Sequence, residues 1–433
     1  KTSSVIVLSS KSWVSVNNFY LLNKAKNCLT LLGSFFVKIT LTICIFRNFF
    51  VLLQQKLQNT TAMKKSFSIL LVLFLLVSGE ILAQGHYHFP LKDTTLSYVR
   101  LLFAGDAMQH STQYKWAWNP TSKTYNYEPN FRYLRPYLAE SDINIVNFET
   151  TLSGPPYSGY PKFRTPDAFF NAMVEAGFQV FALANNHVLD GDKKGFARTL
   201  KRLSPYPYLG AYMDTLQRSQ QYPLILHIDG IKIALFNTTY GTNGLLPVHP
   251  NCVNYIETEQ IEIDFARSML DTTIDLRIMY IHWGTEYQLR HNAYQQGVGQ
   301  WLADLGIDLI IGGHPHVVQD YQVLTASDGR QVPVVYSLGN LISNQRWEHS
   351  NGGVIAMVDI DRHTHQVVRI NAIPVYVHKG SLLKEPRNYY CIPTTDYLDG
   401  QLPFSLPNDS LEQDLRLFHR STVKRLHAIS YAQ

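Results

Sequence analysis

Five short polar clusters, each directly after an apolar run of strand-like composition, constrain this chain more than any other feature. In the clearest, Ile310–Ile311–Gly312–Gly313–His314–Pro315–His316, a buried-strand pattern ends in two glycines and two histidines one residue apart. The others are Gly105–Asp106–Ala107–Met108–Gln109–His110, Asn147–Phe148–Glu149, Asn185–Asn186–His187 and His282–Trp283–Gly284. In open α/β sheets, functional side chains gather beyond the carboxyl ends of the strands. Asp, Glu, Asn and His suit one or two divalent first-row metals, so the clusters predict a metal site.

Each cluster also has a simpler interpretation, as a strand cap or the start of a turn. That interpretation is as good as the functional one for any single cluster, but it has to hold five times along one chain. The repeated design therefore favours a shared site.

The spacing of apolar residues predicts an α/β protein. The predicted strands are Ser97–Phe103, Ile143–Phe148, Gln179–Leu183, Leu224–Ile228, Lys232–Asn237, Asp275–Ile281, Asp308–Ile311, Val332–Ser337 and Gly353–Ile360; the predicted helices are Pro166–Ala176, Gly191–Leu203, Thr258–Leu270 and Ala293–Leu305. Alternation of apolar, β-branched strands with helices indicates buried sheets. A hairpin-like pair around Asp229–Gly230 adds antiparallel pairing, so we expect mixed sheets. From about Gly380 the pattern is irregular until a helical stretch, Ser410–Leu426.

The first 84 residues differ from the rest of the chain. Met63–Lys64–Lys65, an apolar run from Phe67 to Val77 and small residues near Ala83 have the pattern of a secretory signal peptide. We therefore expect residues 63–84 to be a signal peptide and residues 1–62 to be translated upstream sequence or an artefact. The alternative is a genuine extra segment. The expected location is outside the cytoplasmic membrane, in the periplasm or at the cell surface.

Charge and cysteine content narrow the function classes. The first 84 residues hold nine Lys/Arg and one acidic residue, so the remainder carries 29 basic and 32 acidic side chains. This balance lacks the basic footprint of a nucleic-acid-binding protein. All sixteen histidines follow Gly85. Cys252 and Cys391 allow one disulfide at most and lack metal-site spacing.

The order and intervals of the motifs resemble a known family. From about Leu101 to Ile342 the chain is similar to the poly-gamma-glutamate capsule synthesis (CapA) family, a branch of the calcineurin-like metallophosphatase superfamily. Besides the five clusters, the similarity rests on Thr150–Thr151–Leu152, Val188–Leu189–Asp190, Thr285–Glu286–Tyr287 and Tyr336–Ser337–Leu338–Gly339–Asn340. The resemblance implies a four-layer α/β/β/α sandwich of two mixed sheets. We assign residues 97–378 to this domain and 379–433 to a small C-terminal appendage.

The resemblance also implies residue roles. Asp106 and His316 would bind one metal, with His110 as a further candidate; Glu149 would bridge to a second metal held by Asn186, His282 and His314. His187 would act on the leaving group, oriented by Asp190. Arg164, Glu286 and Asn340 are candidate substrate contacts. Glu replaces the usual bridging Asp, and His follows the first acid by four residues rather than two, so the number of metals stays open.

Two functions follow from these expectations. The first is metal-dependent hydrolysis with two divalent ions (Mn, Fe, Zn or Mg), acting on an anionic small molecule or polymer such as a phosphoester or polyglutamate. The second is a non-catalytic, polyanion-binding factor that works with capsule-assembly proteins and keeps the metal site for structure. Water attack on a phosphoryl or carbonyl centre fits the first, and amide transfer is a variant of it.

Overall fold

The computed structural model describes residues 85–382 and 385–426. The expected leader (1–62) and signal peptide (63–84) lie outside the described residues. Among the described residues, no helix is both long and apolar enough to cross a membrane.

The described chain alternates strands and helices. The strands are β1 (His86–Phe89), β2 (Tyr98–Ala107), β3 (Trp118–Asn119), β4 (Thr124–Tyr125), β5 (Ile143–Phe148), β6 (Val180–Ala182), β7 (Tyr208–Leu209), β8 (Ala211–Tyr212), β9 (Leu224–Ile228), β10 (Ile231–Thr239), β11 (Cys252–Val253), β12 (Leu276–His282), β13 (Leu309–Gly313), β14 (Tyr321–Thr325), β15 (Gln331–Val335), β16 (Asn340–Ile342), β17 (Gly352–Asp361), β18 (Val367–Gly380) and β19 (Asn388–Pro393). The α-helices are α1 (Ser111–Ala117), α2 (Glu128–Phe131), α3 (Arg135–Glu140), α4 (Asp167–Ala176), α5 (Asp192–Leu203), α6 (Thr215–Gln221), α7 (Thr258–Met269), α8 (Ala293–Leu305), α9 (Thr394–Leu398) and α10 (Asp409–Leu426).

Two large mixed sheets organise these elements. One has the order β1-β9-β10-β12-β13-β15-β14, and the other β19-β18-β17-β2-β5-β6-β7, with β16 pairing β2. Strands β2, β5, β6 and β7 run parallel, as do β10, β12, β13 and β15. Each sheet therefore contains four adjacent parallel strands, whose carboxyl ends all lie at the same edge of that sheet.

Side-chain alternation along the strands explains the layering. In β2, Leu101 and Phe103 point into the core between the two sheets, whereas Leu102 and Ala104 face the helices on the other side. Successive side chains of a strand point to opposite faces, so a strand buried on both sides needs apolar residues throughout. Helices α4 and α5 cover one sheet, and α7 and α8 cover the other. The predicted four-layer α/β/β/α sandwich is confirmed.

Helix boundaries follow from local chemistry. Gly177 and Gly306, both at φ +121°, end α4 and α8, where a residue with a Cβ atom would be strained. Asn292 caps α8, and Gln295 completes a reciprocal capping box with it.

The chain after β17 extends the second sheet. β18 and β19 add two antiparallel strands at its edge, and α10 packs against β18. The expected boundary between domain and appendage, at residue 379, falls near the end of β18, and that division stays a prediction. Cys252 and Cys391 are both free thiols.

Candidate metal centre

The polar clusters meet where the carboxyl ends of both sheets' parallel strands approach each other. Asp106 lies near the end of β2, paired in register with Asn147 of β5, and Glu149 follows β5. His282 is the last residue of β12 and pairs with Gly313 of β13. A Cβ atom on Gly313 would lie 2.7 Å from Asp106 Oδ1, so a glycine is needed for the two sheets to approach this closely.

An inner group consists of Asp106, Glu149 and His316, all buried, with candidate ligand atoms within 4.8 Å of one another. His316 Nδ1 lies 3.1 Å from Asp106 Oδ2, and His316 Nε2 lies 4.0 Å from Glu149 Oε1. His316 also belongs to a second such group, with Glu286 and His314. His316 is therefore shared by the two groups of candidate ligands.

Asn186 and His282 lie beside this inner group. His282 Nε2 is 2.9 Å from Asn186 Oδ1 and 3.7 Å from Glu149 Oε1. The rings of His282 and His314 have centroids 4.8 Å apart. The structure therefore brings six of the seven expected ligands, all but His110, around the Glu149 carboxylate and the imidazoles next to it.

The electrostatics of the pocket fit a cation. Burial, and next the charge of Asp106, hold the pKa of Glu149 well above its usual range. Burial, and next the neighbouring imidazoles, hold the pKa values of His282 and His314 well below theirs, which favours the neutral, ligating form. Glu149 Oε1 and His314 Nδ1 are buried without a hydrogen-bond partner. Buried polar atoms normally have partners, and a divalent ion would supply one here.

Backbone strain also concentrates at this point. His314 and His316 adopt φ values of +96° and +59°, in the left-handed region that residues with a Cβ atom rarely occupy. Such conformations cost roughly 1–3 kcal/mol each and cluster at functional sites. The Gly-Gly-His-Pro-His turn therefore places both imidazoles in the pocket despite strain.

His187 and Asp190 form the expected pair. His187 Nδ1 lies 2.7 Å from Asp190 Oδ2, which also accepts a 2.7 Å hydrogen bond from Phe163 N. The carboxylate is thus fixed by the backbone and in turn fixes the imidazole. His187 lines a cleft of about 600 Å³ together with His316 and Glu286.

His110 lines the same cleft but lies outside the inner group. It begins α1, where Asn344 N donates to its Nδ1 at 3.2 Å and Gln113 Oε1 lies 3.3 Å away. Burial lowers the pKa of His110 to about 4. His110 is therefore part of the cleft wall, and its role as a further metal ligand stays a prediction.

The three expected substrate contacts differ in position. Glu286 is exposed in the cleft, with Oε1 4.0 Å from His316 Nε2. Arg164 lies beside Asp192, at 3.9 Å, in a partly exposed pair. Asn340 is buried, and its Nδ2 lies near His316 O (3.2 Å) and Ser350 O (2.8 Å). Asn340 thus supports the backbone of a candidate ligand.

Asn147 belongs to one of the five polar clusters, but the sequence did not predict its position among the acids. Its Nδ2 lies 2.8 Å from Asp106 Oδ1, 3.2 Å from Glu149 Oε2 and 3.3 Å from His282 Nδ1. Asn185 Nδ2 holds it by donating to Asn147 Oδ1 at 3.0 Å. A signal was available, because residues 147 and 149 are two apart and point to the same side of an extended chain.

The loop of residues 344–347 was also missed as part of the cleft wall. Asn344, Gln345, Arg346 and Trp347 line the cleft with Tyr160 and Tyr287. Their sequence carries no metal-ligand or strand-end pattern, so only the folded arrangement identifies them.

Comparison with known proteins identifies relatives of this chain. The profile of the family described as "Bacterial capsule synthesis protein PGA_cap" matches residues 100–345. The "Capsule biosynthesis protein CapA" of Bacillus anthracis is 27% identical over 323 residues, which cover 68% of this chain and 73% of that protein. The "PGA biosynthesis protein CapA" of Bacillus subtilis (strain 168) is 24% identical, over 58% of this chain and 66%, just under two thirds, of that protein.

Two solved structures are also similar. A structure described as a novel phosphatase from Mycoplasma pneumoniae matches with a TM-score of 0.39 and 15% identity, covering 64% of this chain and 94% of that one. A protein of Thermus thermophilus matches with a TM-score of 0.34 and 11% identity, covering 64% of this chain and 99% of that one.

Proposed function

This chain belongs to the bacterial capsule synthesis protein family, and from that membership and the site geometry we propose that it is an exported, divalent-metal-dependent hydrolase of anionic substrates. The observation that carries the proposal is the buried convergence of Asp106, Glu149 and His316 within 4.8 Å, next to His282 and His314. Buried acids, and a buried imidazole nitrogen without a hydrogen-bond partner such as His314 Nδ1, are costly unless a ligand compensates them.

In this proposal Asp106, Glu149, Asn186, His282, His314 and His316 hold the metal. Divalent cations there would stabilise charge on an attacked phosphoryl or carbonyl group. They would also lower the pKa of a bound water molecule toward neutrality. Asn147 keeps Asp106 and Glu149 in place through its amide nitrogen, as outer-shell partners of metal ligands commonly do.

His187 is the proposed proton carrier. Its Nδ1 is tied to Asp190, which leaves Nε2 available on the cleft side to give a proton to a leaving oxygen or nitrogen. The buried Asp190 also keeps the His187 ring in one orientation for this role.

The substrate class follows from the family. The relatives are described as capsule and PGA biosynthesis proteins, and the resemblance points to poly-gamma-glutamate, so we propose an anionic polymer or a phosphoester connected with its assembly.

Export is supported by the Met63–Lys64–Lys65 segment and the apolar run after it. When the protein is expressed from a Met63 start, it should appear outside the cytoplasm with an amino terminus near residue 84; protein that stays inside the cell with Met63 retained would contradict export.

A non-catalytic role is the second candidate. Both relatives are named for biosynthesis rather than hydrolysis, which favours a factor that binds the polymer during assembly. Such a factor would keep the metal site for structure and show no turnover.

Metal content tests the site directly. Purified wild-type protein should hold one or two divalent ions per chain, and His282→Ala and His314→Ala should lose most of them. His363→Ala, an exposed histidine on the β17–β18 turn, is the matched control and should keep wild-type content. Unchanged metal in both site variants would remove the proposed site.

Turnover then separates the two candidates. Wild-type protein with Mn, Zn or Mg is assayed against phosphoester and polyglutamate substrates, alongside His187→Ala. Hydrolysis of one class that falls by about 10²–10⁴-fold in His187→Ala supports the hydrolase and its proton carrier. Polyglutamate binding without turnover by metal-loaded protein supports the assembly factor instead.

A further inference from the structure

One wall of the cleft is a rigidly supported loop. Gln345 anchors it: its Oε1 accepts a 2.9 Å hydrogen bond from Asn340 Nδ2, and its Nε2 donates to Tyr287 Oη at 3.1 Å. The ammonium group of Lys379, on β18, donates to the Gln345 carbonyl. These contacts fix the backbone on the amino-terminal side of Arg346, so the guanidinium is presented at the cleft from a supported position.

Arg346 and Lys379 are two basic side chains near each other, since the Lys379 ammonium contacts the residue before Arg346. Within residues 85–382 and 385–426, neither has a carboxylate at ion-pair distance, whereas Arg100, Arg218 and Arg330 pair with Asp359, Asp264 and Asp308 at 3.1 Å or less. Burial, and next the charge of Arg346, lower the pKa of Lys379 to about 7. Like charges held together disfavour their own ionisation, and a bound anion would reverse that cost.

The position of this pair matters for the proposed substrate. Arg346 lines the same cleft as His187 and His316. Trp347, 66% exposed, and Tyr160, 74% exposed, flank the opening. Large exposed aromatic rings beside a charged group are typical of a site that recognises a ligand with an apolar stem and a charged end.

Resting on the proposed function, we propose that Arg346, supported by Lys379 next to its loop, forms an anion subsite at the rim of the cleft, which receives a carboxylate or phosphate group of the substrate away from the bond that is cleaved. Arg346 offers a planar guanidinium suited to two-point contact with either group, and Lys379 adds a point charge. The metal site would then act on one part of the substrate while this subsite holds another part.

The test measures anion binding rather than activity. Inorganic phosphate and a glutamate hexapeptide are titrated calorimetrically into wild-type, Arg346→Gln, Arg346→Lys and Lys379→Met proteins, both metal-loaded and after EDTA treatment. Arg267→Gln is the matched control, because Arg267 is exposed on α7 in the outer helical layer. Thermal melting and metal content of each variant report folding and the state of the metal site.

We expect the Kd of at least one probe to rise about tenfold in Arg346→Gln and in Lys379→Met. The Kd should stay near the wild-type value in Arg267→Gln, and in Arg346→Lys it should rise less than in Arg346→Gln because a positive charge is kept. The probe that responds identifies the anion as carboxylate or phosphate. The proposal is overturned if wild type binds neither probe, if the cleft variants bind like wild type, or if Arg267→Gln weakens binding equally. His282→Ala separates the two proposals, since it should lose metal but keep the response to Arg346→Gln.

Discussion

Asn147 illustrates how a single neutral side chain can hold a charged site together. Its amide nitrogen carries two hydrogens and lies within 3.3 Å of Asp106 Oδ1, Glu149 Oε2 and His282 Nδ1. Two buried carboxylates repel each other, and a donor shared between them reduces that cost.

Removal of this amide should weaken metal binding without abolishing it. In Asn147→Ala we expect the divalent-metal Kd to rise by about 10- to 100-fold, because the acids lose the partner that orients them. The measurement is a competition titration against a fluorescent chelator. Asn171→Ala, an exposed asparagine on α4, should leave affinity unchanged; equal affinities of wild type and Asn147→Ala would contradict the role given to this residue.

The sequence was more informative about ligands than about their supports. Asp106, Glu149, His282, His314 and His316 follow apolar runs, and strand ends converge for topological reasons, so their proximity could be predicted. The roles of Asn147 and Asn340 depend on which oxygen faces which nitrogen across two sheets. Arg346 and Lys379 are 33 positions apart and meet only because β18 lies beside the loop that contains Arg346. Such long-range contacts leave no local pattern.

At the scale of elements, local periodicity located the central strands and helices. Ile143–Phe148, Leu224–Ile228 and Ala293–Leu305 have the predicted bounds, because each carries its own apolar pattern between turn residues. β18 and β19 were missed. Pro374 interrupts the first and Pro393 ends the second, and proline argues against a strand when only the local sequence is read. β18 forms nevertheless because it pairs antiparallel with β17 along most of its length.

The chain before β16 approaches the backbone of β2 very closely at Gly105, next to the site. A Cβ atom on Gly105 would lie 2.0 Å from the carbonyl oxygen of Gly339, which is backbone and cannot swing away. Gly105→Ala should therefore force the strand next to Asp106 out of place and destabilise the protein by about 1–3 kcal/mol or more. Denaturant unfolding monitored by circular dichroism measures this.

Gly297, inside α8, provides the matched control. A Cβ atom there meets nothing within 4 Å, so Gly297→Ala should stabilise the protein by about 0.5–1 kcal/mol through helix propensity alone. A Gly105→Ala protein as stable as wild type would show that the two backbones can separate at little cost.

At the scale of the whole molecule, the pH dependence of stability should reflect the amino-terminal edge of the first sheet. Strand β1 pairs with β9 there, and His86 Nδ1 lies 3.0 Å from His227 Nε2 while the His88 ring stacks on His227 at 4.4 Å. Lys232 and Asp271 lie nearby with opposite charges. Burial, and next the neighbouring imidazoles, lower the pKa of His227 to about 4.

The sign of the effect follows from proton binding. As pH falls below the ordinary imidazole pKa of 6.5, the unfolded chain takes up a proton at His227 that the folded protein does not bind until about pH 4. The contribution of His227 to the free energy of unfolding should therefore be fully present above about pH 6.5 and be lost progressively between pH 6.5 and 4. In His227→Gln the difference between the unfolding free energies at pH 7.5 and pH 4.5, measured with urea, should be smaller than in wild type. His363→Gln, exposed on the β17–β18 turn, should behave as wild type. If His227→Gln loses as much stability on acidification as wild type, protonation elsewhere governs acid unfolding, and the β1 edge does not set the acid limit of the fold.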